Sequence, residues 1–320
     1  MNPLQYHGHT LRKLSNLLNE SLEDQFEIQS IDSTRLGGWS NINLIAESSL
    51  GSVVLKLPAY NIIYEHNPYT AEFRNAGVLH KEDLSPQPLA YGNLDDSSQT
   101  PFFIRKHIDG IVYHDVENIP LKFLSTLQKS HKKLSSLKIN LSRTYSSSLE
   151  FIQCQYHSFK KTWETHSNQP SELAVLTDRY LLLHHELVQA YSDCSGWKTQ
   201  VIHGDFQETN IIFHNQQVSF IDVGSLCKGS PLFDIAYLYS QSLGPIRDYS
   251  RSLLLSTEQL KKFRLIVPIA LFSAITWTLI RLLDIESKRI VPVFAQSMDK
   301  IALKHYLIEK ISQVEYLIRS

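Results

Sequence analysis

Apolar residues at Leu11, Leu14, Leu18 and Leu22 recur at intervals of three and four, which predicts a helix over residues 4–22. The period then changes to two. Phe26, Ile28 and Ser30 alternate with polar neighbours, as a strand does. Two β-rich runs follow, Ile42 to Ala46 and Ser52 to Leu57, and Ser48-Ser49-Leu50-Gly51 between them predicts a hairpin. Helical spacing returns over 69–80 at Phe73, Ala76, Val78 and Leu79, and Pro86 and Pro88 stop it. Leu89-Ala90-Tyr91 and Phe102-Phe103-Ile104 read as further strands around the loop 93–100. Residues 1–107 therefore predict a five-stranded sheet with one or two helices.

Beyond Gly110 the pattern is helical, with candidate helices at 120–136, 146–166, 171–193, 231–242, 256–284 and 296–317. One short β island interrupts them: Gln200 to Ile202, Ile211 to Phe213 and Val218 to Ile221, with Asn215-Gln216-Gln217 as a turn. The chain thus divides at 107/108 into a strand-rich part and a helical part, an α+β chain. Leu265 to Ile280 carries no charge over 16 residues but contains Pro268, Ser273, Thr276 and Thr278. A membrane-spanning helix wants about 20 mostly apolar residues, so this run predicts a buried core helix, with Trp277 in that core. His184-His185-Glu186 reads as plain helix surface, because adjacent helical residues diverge by about 100° and cannot share a metal.

Composition narrows the class. With 320 residues, 42% of them hydrophobic, the chain can bury a substantial core and is neither disordered nor fibrous. Lys plus Arg is 31 against 32 for Asp plus Glu, which gives no electrostatic case for a nucleic-acid or membrane-surface partner. The three cysteines, Cys154, Cys194 and Cys227, are far apart and form no CxxC, which argues against a disulfide framework or a zinc site. Residues 1–10 are polar and contain no apolar signal core. The expectation is a cytoplasmic protein.

The chemistry concentrates in the β island. It reads His203-Gly204-Asp205-Phe206-Gln207-Glu208-Thr209-Asn210, and Ile221-Asp222 follows the next hairpin. That hairpin can bring Asn210 and Asp222 to one pocket with Asp205, and hard oxygen donors of this kind suit Mg²⁺. The spacing Asp, four residues, Asn is that of the kinase catalytic loop. His203 reads as a buried hydrogen-bonding histidine. Kinase chemistry also needs a phosphate cover, a strand lysine and a helical glutamate. Gly37-Gly38-Trp39-Ser40-Asn41, Lys56 and Glu72 supply them in the right order.

These stretches, together with Gly229-Ser230-Pro231-Leu232-Phe233-Asp234-Ile235-Ala236, resemble the aminoglycoside phosphotransferase and choline kinase group from Leu36 to about Trp277. The resemblance implies a protein-kinase-like bilobal fold, with an ATP-binding lobe at 1–107 and a helical lobe with catalytic loop and substrate site at 108–320. It implies that Asp205 is the catalytic base and that Asn210 and Asp222 bind Mg²⁺. Lys56 would contact the α- and β-phosphates of ATP, with Glu72 holding it. Gly38, Ser40 and Asn41 would cover the phosphates. Phe103 to Ile108, with Arg105 and His107, would form the hinge at the adenine. Asp234 would brace the catalytic loop near His203. There are two departures: Val223-Gly224-Ser225 stands where the group often has an aromatic residue and Glu, and Gly229-Ser230-Pro231 replaces Gly-Asp-Pro.

The implied function is transfer of the γ-phosphoryl group of ATP to a hydroxyl of a sugar, an amino alcohol or a related metabolite. A catalytically inactive pseudokinase is the alternative. A protein kinase is disfavoured, because no Ala-Pro-Glu segment follows Asp222. Residues 241–320 hold seven acidic and 12 basic side chains, which disfavours a polycationic acceptor and favours a neutral or anionic one.

Overall fold

In a computed structural model of the chain, the described residues are 5–6, 9–36, 40–61, 66–95, 97–113, 119–165, 171–191, 197–242, 244–252, 256–290 and 300–319. They form two compact units, one built on Met1–Asp109 and the other on Gly110–Lys288 and Lys300–Ser320.

The first unit begins with a two-residue ladder of β1 (Gln5–Tyr6) and β2 (His9–Thr10). Helix α1 (Leu11–Leu22) starts later than its spacing predicts. The Thr10 side chain accepts from the Lys13 amide and caps the first turn, so the described residues before it pair as strands. Leu14, Leu17, Leu18 and Leu22 are buried where α1 packs on β3 (Ile28–Arg35). Strands β4 (Asn41–Ser48) and β5 (Gly51–Pro58) form the expected hairpin. Helix α2 (Thr70–His80), β6 (Pro88–Asn93) and β7 (Pro101–Lys106) complete the unit. All five strands β3 to β7 make one antiparallel sheet in the order β3-β4-β5-β7-β6. β5 is central, and every residue from Val53 to Pro58 is buried on it. That is what the run Val-Val-Leu-Lys-Leu asks for, with one exception, the lysine.

The second unit is helical. It contains α3 (Leu121–Ser136), α4 (Ser148–Glu164), α5 (Ser171–Tyr191), α6 (Pro231–Gln241), α7 (Pro245–Ser252), α8 (Thr257–Glu286) and α9 (Lys300–Arg319). The expected start of the last helix at 296 lies outside the described residues. Between α5 and α6 stand β8 (Gln200–Ile202), β9 (Ile211–His214), β10 (Gln217–Phe220) and β11 (Cys227–Gly229). β9 and β10 form a hairpin turned by Asn215 and Gln216 at φ 44° and 63°, which leaves Gln217 as the first strand residue rather than part of the turn. β8 pairs with β11. Neither β11 nor α7 was apparent in the hydrophobic pattern.

Helix α8 is the core of this unit. It packs against α4, α5, α6 and α9, and 72% of its most apolar stretch is buried there. A helix apolar on all sides is accounted for by neighbours on all sides. Trp277 departs from the expectation. It is 37% exposed and lies under the Arg281 guanidinium, 5.6 Å from its ring.

His184 is not plain surface either. Its ring stacks on Tyr156 at 4.0 Å, between α5 and α4, and also stacks against Phe272 of α8. Burial, with the neighbouring His185 charge second, lowers its pKa from the ordinary 6.5. The unfolded chain therefore binds a proton that the folded chain resists, and stability is lost as pH falls through about 6.5. We expect the melting temperature to fall between pH 7 and pH 5, and His184→Phe to shrink that fall. An unchanged slope would show that His184 binds its proton equally well in the folded and the unfolded chain.

Candidate active site

The loop after β8 is shaped by one buried carboxylate. Asp234 lies in the first turn of α6 with no exposed surface. Its Oδ2 accepts from the His203 amide at 2.8 Å and its Oδ1 from the Gly204 amide at 3.0 Å. His131 of α3 donates from Nε2 to the same Oδ2 at 3.3 Å and lies against Phe206, ring centroids 5.0 Å apart. The Asp at this position thus fixes two successive peptide groups just before residue 205.

His203, fully buried, donates from Nε2 to the Ile221 carbonyl oxygen at 2.9 Å. A carbonyl can only accept, so the proton sits on Nε2, and Nδ1 accepts from the Asp205 amide at 3.3 Å. Gly204 explains why the sequence has His-Gly-Asp. Its φ is +80°, and a Cβ there would lie 2.4 Å from the Ser225 carbonyl oxygen.

Asp205 is half-buried, and the network closes around it. Asn210, in the single turn Glu208–Asn210, donates both amide protons to Asp205: to the main-chain oxygen at 2.9 Å and to Oδ2 at 2.9 Å. Gln207 donates to Oδ2 at 3.4 Å. With both protons so engaged, Asn210 Oδ1 remains as an acceptor. Asn210 and Asp222 are drawn together by the hairpin, because the Ile221 amide donates to the Asn210 carbonyl at 3.0 Å. Strand β10 ends at Phe220, and Asp222 takes a left-handed conformation at φ 57°. Such a backbone, unusual for a residue with a side chain, clusters at functional sites.

Burial pushes the Asp205 carboxyl upward. His203 opposes this, the Asp222 carboxylate adds to it, and hydrogen bonds from Asn210 and Tyr237 oppose it. The two carboxylates therefore repel across one site, beside an unspent carboxamide oxygen. A hard divalent cation with an oxygen shell fits that donor set. Among the described residues no three His, Cys, Asp or Glu side chains gather as a metal cluster.

The first unit holds a second arrangement. Lys56 Nζ lies 2.9 Å from Glu72 Oε1 and 2.8 Å from Oε2, with side chains 5% and 7% exposed. Lys56 comes from central β5 and Glu72 from the first turn of α2. The Tyr69 ring lies 5.7 Å from Nζ, and the Tyr69 hydroxyl donates to Asn41 Oδ1 at 2.8 Å. Ser40 accepts from the Ala59 amide through its carbonyl. Gly38 lies outside the described residues. Arg105 and His107, at the end of β7, are half-buried. Arg105 donates to the Lys106 carbonyl at 3.3 Å, and the His107 amide donates to the Ser52 carbonyl at 3.1 Å.

Three participants were not read from the sequence. Tyr237 lies one helical turn beyond Asp234, on the same face of α6, so its spacing could have revealed it. His131 is 103 residues from its partner Asp234, and Arg143, which donates to the Gly224 carbonyl at 2.8 Å, is 81 residues away. No local pattern announces either.

The chain matches the phosphotransferase enzyme family (APH) over residues 33–260, and it belongs to that family. Its fold is mixed α+β and kinase-like. Among solved structures, it is similar to the aminoglycoside phosphotransferase APH(4)-Ia, with TM-score 0.66 and 14% identity, covering 96% of this chain and 97% of that one. A choline/ethanolamine kinase family protein from Mesorhizobium loti gives TM-score 0.58 at 14% identity, covering 91% and 88%. Acyl-CoA dehydrogenase family member 11 of Rattus norvegicus is 22% identical over 264 residues, which are 73% of this chain and 31% of that protein. The chain spans about a third of the length of that relative.

Removing the brace should be costly. We expect Asp234→Ala to destabilise the protein by about 3–5 kcal/mol in urea unfolding, as loss of a buried, fully bonded charge does. Asp234→Asn, which keeps an acceptor oxygen, should cost less. Equal stability of all three proteins would contradict the bracing role.

Proposed function

We propose that the chain is an ATP-dependent kinase that transfers the γ-phosphoryl group to a hydroxyl of a small metabolite in the cytoplasm. The observation that carries this reading is the convergence of Asp205, Asn210 and Asp222 on one braced loop, with Asn210 donating to Asp205 at 2.9 Å. Nucleotide use is supported by structural neighbours: APH(4)-Ia was solved as a ternary complex with ADP and hygromycin B, and APH(2")-IIia with GDP and kanamycin.

In this reading residues 1–107 serve the nucleotide and residues 108–320 serve transfer. Lys56 meets the α- and β-phosphates, and Glu72 aims it. Ser40, Asn41 and Gly38 cover the phosphates, and Arg105 and His107 belong to the adenine hinge. Asn210 Oδ1 and the Asp222 carboxylate hold Mg²⁺, which when bound supplies neutralisation of phosphate charge. Asp205 orients the acceptor hydroxyl and takes its proton. The acceptor oxygen forms a bond to the γ-phosphorus as the bond to the β-bridging oxygen breaks, and ADP leaves with that electron pair. Catalysis then rests on positioning, which suits a loop whose peptide groups are fixed by Asp234. The excess of basic residues in 241–320 favours a neutral or anionic acceptor over a polycation.

Transfer from radiolabelled ATP with Mg²⁺, over a panel of hydroxyl compounds, tests the reading. We expect Asp205→Asn to lower transfer on the order of 10²–10⁴-fold while nucleotide still binds. Equal near-zero rates in both proteins would favour the pseudokinase. Lys56→Met should raise the KM for ATP about tenfold or more, because a charge-assisted contact is lost. An unchanged KM would remove Lys56 from the nucleotide site.

A further inference from the structure

The second unit carries a buried cation that the transfer step does not use. Helix α6 presents Asp234, Tyr237 and Gln241 at positions i, i+3 and i+7, which is one face. Asp234 holds the loop, and Tyr237 interacts with the Asp205 carboxyl. Gln241 accepts from the hydroxyl of Tyr306 on α9. One turn beyond Tyr306 is Lys310, whose Nζ lies 5.2 Å from the Tyr306 ring centre. The Asp205 charge reaches both tyrosines. Asp205, Tyr237, Gln241, Tyr306 and Lys310 therefore follow one another in a single chain of interactions.

Lys310 is poorly compensated there. Its side chain is 9% exposed, and Nζ donates to the Ser240 carbonyl at 2.8 Å. Among the described residues, the carboxylate within salt-bridge reach is Glu309, 3.9 Å away and itself 60% exposed. Burial, which comes first, and the Arg247 charge both work against the ammonium. Capping the last turn of α6 through Ser240 uses one proton of three, and a hydroxyl or amide would do as much. An ammonium buried without an equally buried anion is an unfavourable arrangement unless a ligand completes it.

We propose that Lys310 selects the phosphate acceptor by receiving an anionic group, a carboxylate or a phosphate, of an alcohol whose hydroxyl lies at Asp205. The proposal rests on the kinase reading above and narrows its acceptor to anionic alcohols. The Tyr237 and Tyr306 rings flank the carbon chain between the two ends, and Lys310 is a specificity residue that takes no part in proton transfer.

The test uses the full chain with ATP and Mg²⁺, and three acceptor sets matched in size: hydroxy acids and sugar phosphates, neutral polyols, and amino alcohols. Transfer should favour the anionic set, and its two arms separate carboxylate from phosphate. Lys310→Met should raise the KM for the preferred anionic acceptor about tenfold or more, without raising it for polyols, and Lys310→Arg should recover part of the loss. A second readout is independent of turnover. The preferred acceptor should raise the melting temperature of the wild type and not that of Lys310→Met, while the unliganded variant melts at the same temperature or higher, as relief of a buried charge predicts. A lower melting temperature for the unliganded variant would make Lys310 a structural cap and overturn the proposal. So would preference for neutral or cationic acceptors, or failure of every anionic compound to bind or react in a chain that binds nucleotide. Failure to bind nucleotide or to transfer to any set would instead overturn the kinase reading itself.

Discussion

One buried carboxylate organises the second unit. Asp234 has no exposed surface, and a charge so placed is tolerable only when its oxygens are filled. They are filled by two main-chain amides of the loop at 203–204 and by His131. The consequence runs outward along the chain. The amide bonds fix the peptide groups before Asp205, Gly204 takes the left-handed turn that side-chain-bearing residues avoid, and the Asp205 carboxyl is delivered to Asn210. His203 ties the same loop to Ile221, the residue before Asp222. A carboxylate that touches no substrate thereby sets the positions of the groups that would.

The first unit solves a different problem with the same physics. A lysine on the central strand of a sheet would be an error of patterning if it were alone. Glu72 meets its ammonium with both carboxylate oxygens at 2.8 and 2.9 Å. Buried pairs of this type add little net stability, since desolvation offsets their attraction. Their persistence is better understood as the cost of holding a cation in one orientation, which is what the proposed contact with phosphate would ask of Lys56.

Much of this was legible in the sequence, for physical reasons. Helices with one apolar stripe, such as Leu121–Ser136, and strands with turn residues between them, such as β4 and β5, carry their period in the residues themselves. That Lys56 meets Glu72 and that Asn210 meets Asp205 was legible because the order of these residues, and on the loop their spacing, matches the kinase pattern. Helix α7 was not, because Ile246 and Ser250 are the buried residues on an otherwise polar segment. Strand β11 was not, because its three residues pair with β8 from 25 to 29 positions away and no local pattern records a partner. The start of α1 was misread because leucine spacing cannot see the Thr10 cap. His131 and Lys310 were invisible for the same reason as β11: each acquires its meaning from a distant segment, the lysine from Ser240, 70 residues earlier. Trp277 and His184 mark the limit of reading burial from residue type.

The central claim is geometric, that Asn210 and Asp222 offer their oxygens to one divalent cation beside Asp205. A crystal structure grown with Mn²⁺ and a non-hydrolysable ATP analogue tests it most directly. The account predicts an anomalous manganese peak coordinated by Asn210 Oδ1 and an Asp222 carboxylate oxygen, at bond lengths of about 2.1–2.2 Å, close to those of Mg²⁺. Manganese bound elsewhere, with both side chains turned away from the phosphates, would contradict it.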